Sequence, residues 1–172
     1  MRCTASHLVA AILLAGGALT GTAIAASPVK IVVFAFELED FSAAAPHIPP
    51  DDIDREQLRL ATEEARRLIA ESGRYQLVDI GPANEQVAKA GPLRDCAGCE
   101  AGIGAGLAAD QSMIGIVTRI TRMEYAVTYK IRDVRSAALV DVQQTDLRMG
   151  ANVSWSRGAR WLIQRRLLER PQ

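Results

Sequence analysis

Histidine and cysteine are nearly absent from this chain, with two histidines and three cysteines in 172 residues. A closed structural zinc site takes four Cys or His ligands, and a hydrolytic triad needs a histidine beside a nucleophile. His47, set among prolines with no Ser or Cys partner in an identifiable arrangement, supplies neither. An excess of either charge is also lacking: 20 basic side chains balance 20 acidic ones. The basic footprint of a nucleic-acid binder is therefore missing, and no nucleic-acid partner is expected. Other absences narrow the field further. No dinucleotide fingerprint forms, because Gly102, Gly104 and Gly106 alternate without the G-x-G-x-x-G spacing and read as packing residues. The D-x-[DN]-x-[DN]-G spacing of an EF-hand is absent, as are internal repeats and low-complexity linkers.

The longest apolar run, Leu8 to Leu19, falls short of the roughly 20 residues that a membrane span requires. It follows Arg2 and leads to Ala23-Ile24-Ala25, a small-x-small site for signal peptidase. Residues 1–25 read as a cleaved signal peptide, which predicts a periplasmic protein with no stable membrane span after cleavage. Residues 26–172 read as one domain, and the hydrophobic fraction of 49% suits a globular core. Cys3 leaves with the leader, so export delivers Cys96 and Cys99 to a compartment that favours disulfides, and an even count fits one bridge.

Hydrophobic periodicity predicts an α/β (α+β) fold with a mixed sheet of about five strands. Val29 to Phe36 reads as a central strand, Asp54 to Ser72 as a helix introduced by Asp51, Asp52 and Asp54, and Tyr75 to Ile80 as a strand parallel to the first. This βαβ start is followed by short helices at Ala83 to Lys89 and Glu100 to Ala108. Ser112 to Ile120, Met123 to Val134 and Ala138 to Leu147 then form an antiparallel meander. In the middle strand, Met123, Tyr125, Val127, Tyr129 and Ile131 are expected on the core face. A last helix, Asn152 to Leu168, places Trp155, Ala159, Leu162, Ile163 and Leu167 toward the sheet.

Three groups of residues are candidates for function. Cys96-Ala97-Gly98-Cys99 is either a structural disulfide at the start of a helix, a redox dithiol with a lowered first thiol pKa, or part of a metal site. Haem attachment would need a histidine where Glu100 stands. Glu37, Glu39, Asp40, Asp51, Asp52 and Asp54 flank a proline-rich loop, where hard cations such as calcium or a lanthanide would find oxygen ligands, although capping and solvation also account for them. Trp161 lies six residues after Trp155, off the core stripe, and with Arg157 and Arg160 it forms a candidate protein-contact patch.

A set of blocks runs through the chain in order: Phe34-x-Phe36-Glu37-Leu38, Ser72-Gly73-Arg74-Tyr75-x-Leu77-Val78-Asp79, Cys96-x-x-Cys99-Glu100, Ala109-Asp110, Ile131-Arg132-Asp133-Val134 and Ser154-Trp155-Ser156-Arg157-Gly158-x-x-Trp161-Leu162. Together they resemble a family of small secreted bacterial proteins known only as a domain of unknown function. The element order is similar to the amino-terminal α/β domain of TolB and to related envelope-assembly domains. The resemblance implies an interaction module without catalytic residues or a cofactor, and an accessory role beside periplasmic quinoprotein alcohol dehydrogenases. It also implies a glycine-containing hairpin where this chain has Arg135-Ser136-Ala137. The resulting expectation is a non-enzymatic accessory protein docking onto another periplasmic protein. A thiol-disulfide factor using Cys96 and Cys99, or a calcium or lanthanide binder using the acidic loop 37–54, is the alternative.

Overall fold

The computed structural model describes residues 27–45, 47–148 and 154–170. The expected leader, residues 1–25, and the expected start of the last helix at Asn152 lie outside them. A mixed sheet of six strands runs in the order β3-β1-β4-β5-β6, with β2 also paired to β4. The strands are β1 (Val29–Val33), β2 (Glu37–Asp40), β3 (Tyr75–Val78), β4 (Gln111–Arg119), β5 (Glu124–Asp133) and β6 (Leu139–Arg148). β3, β1, β2 and β4 are mutually parallel, and β4, β5 and β6 make the antiparallel meander.

The sixth strand arises because the predicted Val29 to Phe36 run is interrupted and then resumes. Val33 pairs with Met113 and Glu37 pairs with Ile116, so four steps on one strand face three on the other. One extra residue is therefore inserted, as in a β-bulge. Because side chains alternate with period two, this insertion reverses the facing of everything after it. Ile31 and Val33 point to one face before the break, whereas Phe36 and Leu38 do so after it, and Ala35 is left exposed. The backbone groups freed at the break are taken up by the neighbouring helix. Arg66 Nη2 donates to Val33 O at 2.8 Å, and Phe36 N donates to Thr62 Oγ1 at 2.9 Å.

That helix, α1 (Asp52–Glu71), opens with a reciprocal capping box between Asp51 and Asp54. Ala61, Ala65, Leu68 and Ile69 are its buried stripe, while Arg59 and Arg67 bridge glutamates three or four residues away on the exposed side. Gly73, at φ 67, ends it in the left-handed conformation that glycine adopts without strain. With α4 (Trp155–Leu162), which continues as π-helix over Ile163–Leu168, α1 covers one face of the sheet and encloses Tyr125, Val127, Tyr129, Ile131 and Trp155. α4 approaches the sheet closely, since a Cβ on Gly158 would lie 2.9 Å from Leu147.

The other face is covered at β1 and β4 by α2 (Asn84–Ala90), a turn at Leu93–Asp95 and α3 (Cys99–Gly106), around Val32, Phe34, Leu93, Ile103 and Ile114. Gly104 is the packing glycine of α3, where a Cβ would meet Val134 at 3.0 Å and Val32 at 3.2 Å. Gly102 and Gly106, expected to be packing residues as well, are not, since nothing lies within 4 Å of such a Cβ on either. Two further expectations are corrected. Met123 precedes β5 in the hairpin and is 60% exposed, so the core face of that strand begins at Tyr125. The next hairpin needs no glycine: Asp133 Oδ1 accepts from Arg135 N and Ser136 N, and Ala137 itself adopts φ 55. Among the described residues no helix is long and apolar enough to cross a membrane.

Candidate docking surface at the carboxyl end of the parallel strands

The bulge decides what the acidic segment does. By pleat, Glu37 and Glu39 face the α2–α3 side of the sheet, while Leu38 and Asp40 face α1. Glu37 accepts from Leu93 N at 2.7 Å and Arg94 N at 3.1 Å, tying the turn before Cys96 to β2, and Glu39 accepts from Thr118 Oγ1 at 3.2 Å. On the opposite face Asp40 pairs with Arg119 Nη1 at 2.7 Å, and Asp54 holds the other end of the same guanidinium. Asp51 caps α1, and Asp52, 95% exposed at its side chain, pairs with Arg55. The six carboxylates thus stand on two faces; Asp40 and Asp54 share Arg119, while Glu37, Glu39 and Asp52 have partners of their own, and the six do not converge on one point.

Arg119, which the sequence reading did not single out, is the hub of this end of the fold. It ends β4 with a side chain only 13% exposed. Its guanidinium lies 5.6 Å from the Tyr125 ring centroid and 5.9 Å from that of Trp155, and its Nε is buried with no hydrogen-bond partner among the described residues. Burial opposes its charge, but the bonds to Asp54 and Asp40 outweigh that and raise its pKa. Burial likewise pushes the Asp40 carboxyl up. Hydrogen bonds from Ser42 and the pairing with Arg119 prevail and hold it below the usual carboxylate range. The sequence signal was an arginine closing a nearly all-apolar strand.

Above this ion triad opens a cleft of about 190 Å³ lined by Asp40, Ser42, Ile48, Asp54, Arg122 and Tyr125 among others. It lies at the carboxyl ends of β2 and β4 and beside the start of α1, the position where open α/β sheets commonly bind ligands. Large apolar side chains crowd the same end: Phe41 is 68% exposed, Met123 60%, Ile53 58%, Ile48 49% and Ile120 48%. Ile48 and Ile53 line the cleft, and the other three are next in sequence to residues that do.

The remaining candidates lie apart. Trp161, on α4, is 44% exposed, and the guanidinium stacked on it at 5.6 Å belongs to Arg166. Arg160 instead turns to Glu64 of α1, while Arg157 is exposed. Cys96 and Cys99 are joined by a disulfide at the start of α3, on the α2–α3 side. His47 is exposed.

No curated protein matches the sequence. Among solved structures, the LpoB C-terminal domain from Salmonella enterica is 14% identical with a TM-score of 0.50, over 72% of this chain and 84% of that one. The LpoB C-terminal domain from Escherichia coli is 12% identical with a TM-score of 0.51, over 76% and 90%. TolB from Acinetobacter baumannii is 13% identical with a TM-score of 0.47, over 84% and 29%. At these identities the two LpoB domains show a shared fold and nothing more. Residues 29–167 match the family model described as "Protein of unknown function (DUF2380)", and the chain belongs to that family.

Proposed function

We propose that this protein is a non-catalytic docking factor of the cell envelope, working after export as residues 26–172 and gripping another periplasmic protein through the apolar rim of the Arg119 cleft. The observation that carries the reading is the grouping of Phe41, Ile48, Ile53, Ile120 and Met123, all exposed, at one end of the sheet. Large exposed apolar side chains gathered at one end of a fold are a common mark of a protein contact. The charged groups beneath the rim support a contact rather than a reaction. Arg119 is engaged by both Asp40 and Asp54, so the three groups brace the floor by pairing with one another, and apolar contact is the chief source of affinity. The resemblance to accessory proteins makes a quinoprotein alcohol dehydrogenase system the first partner to try.

A second contact, the exposed Trp161 with Arg157 and Arg166, has its own support in the stacking of Arg166 on the indole. The test uses protein expressed with its own leader, immobilised and exposed to periplasmic extract and to a purified quinoprotein dehydrogenase. Three baits are compared: the parent, the Ile53→Ser/Met123→Ser double variant and Trp161→Ala. The cleft reading predicts a defined partner held by the parent and by Trp161→Ala but lost from the double variant. Equal retention by the double variant and the parent refutes it, and loss from Trp161→Ala alone moves the contact to α4.

A further inference from the structure

Glu100 is 1% exposed, one of the largest fully buried side chains in the protein. Its Oε1 accepts from Arg132 Nε at 2.8 Å, and Arg132 is fixed in turn by donating to Ala137 O at 2.9 Å. The other oxygen, Oε2, faces Cys96 Sγ at 3.7 Å. A disulfide sulfur carries no hydrogen, so this deeply buried oxygen accepts no bond from the group it faces. The surrounding backbone is shaped to create that juxtaposition. Ala97 at φ 53 and Gly98 at φ 115 turn the chain back on itself between the cysteines, and Cys99 and Glu100 then open α3. One ligand atom from each of Cys96, Cys99 and Glu100 lies within 4.8 Å of the others.

We propose that reduction of the Cys96–Cys99 bond opens a three-ligand site for a thiophilic divalent cation of the zinc class, formed by two thiolates and Glu100 Oε2 with a fourth position open to solvent. The sequence alone supplied too few Cys and His residues for a closed zinc site; the buried carboxylate provides a third ligand without a histidine. Sulfur and oxygen ligands about a tetrahedral zinc stand roughly 3.6 Å apart, given Zn–S of about 2.3 Å and Zn–O of about 2.0–2.2 Å. The Glu100 Oε2 to Cys96 Sγ distance of 3.7 Å already has that value.

Reduction adds two electrons and two protons to the sulfur–sulfur bond, supplied by a dithiol reductant that leaves as its own disulfide. Cation binding then releases both thiol protons to solvent. Two thiolates and a carboxylate, set against a divalent cation and the Arg132 guanidinium, sum to zero charge, which favours a site built on a buried carboxylate. Arg132 acts as the positioning residue, holding one carboxylate oxygen so that the other presents to the cation. Re-oxidation of the two thiolates by a disulfide oxidant, which takes up the two electrons with two protons from solvent and leaves as its dithiol, would expel the cation and make occupancy redox-dependent.

The proposal is independent of the docking reading and has a separate test. The protein is reduced with a phosphine, freed of it under anaerobic conditions, and titrated with Co²⁺ and then Zn²⁺. The expected result is one equivalent of Co²⁺ with thiolate-to-cobalt charge-transfer absorption, displaced by Zn²⁺, and no such band in the oxidised protein. Cys99→Ser should abolish the band, and Glu100→Gln should weaken Co²⁺ binding by about tenfold or more. Because Glu100→Gln also strands Arg132, Arg132→Gln is titrated alongside, with a loss of about 10- to 100-fold expected for a group supporting a ligand. No Co²⁺ band in the reduced parent overturns the proposal. So does a full band in Cys99→Ser, or unchanged affinity in Arg132→Gln.

Discussion

Arg119 illustrates how one side chain organises an end of the fold. Its partners Asp40 and Asp54 are 14% and 9% exposed at their side chains, so each charge in the triad relies on the others for the solvation it has lost. Arg119→Ala leaves two facing carboxylates unpaired, and a loss of about 3–5 kcal/mol is expected in chemical denaturation. Asp40 adds a pH dependence. Its carboxyl titrates below the ordinary value of 3.8 in the folded state. Its stabilising contribution is therefore complete above about pH 4 and is lost as the pH falls through the folded value. Acid melts of the parent should show this loss, and Asp40→Asn should flatten that part of the curve. Gly115 is the steric counterpart: a Cβ there would stand 2.4 Å from the Phe36 ring. Gly115→Ala should cost about 1–3 kcal/mol by overpacking, read as a lowered midpoint with unchanged slope.

Among the elements, those with strong periodicity were legible in the sequence and those shaped by neighbours were not. The buried stripe and acidic opening of α1, the alternation of Tyr125 to Ile131 and the Trp155 stripe all announce themselves in local pattern. The break between β1 and β2 does not, because Val-Val-Phe-Ala-Phe reads as continuous β-strand. Its cause lies elsewhere in the chain, in Thr62, Arg66 and the vacant face of Gly115. The candidate site was legible to the same degree. The acidic residues were visible, but which face Glu37, Glu39 and Asp40 each take follows from the extra residue at the break. Deleting Ala35 would restore a continuous strand and turn Glu37 and Glu39 into the core under α1. Loss of cooperative unfolding in circular dichroism is the expected outcome. A folded deletion variant of parental stability would show that the break does not set the facing of β2.

At the scale of the whole molecule, the two faces of the sheet carry different burdens. α1 and α4 bury the larger core, the α2–α3 segment buries the smaller one, and the end of the sheet between them is left with apolar side chains in solvent. No local pattern marks that rim, since Phe41, Ile53 and Met123 belong to three segments that only the parallel arrangement of β2 and β4 brings to one end. Trp161 and Arg166 show the same limit on a smaller scale: helical spacing located the exposed indole but not the guanidinium that stacks on it. The most direct measurement of the docking claim is site-specific photo-crosslinking in living cells, with the photoreactive residue placed at Ile53, at Met123 or at the exposed Lys89 of α2. Discrete heavier adducts from Ile53 and Met123, with none from Lys89, are predicted. Adducts from Lys89 equal to those from the rim, or none from either rim position, would contradict the account.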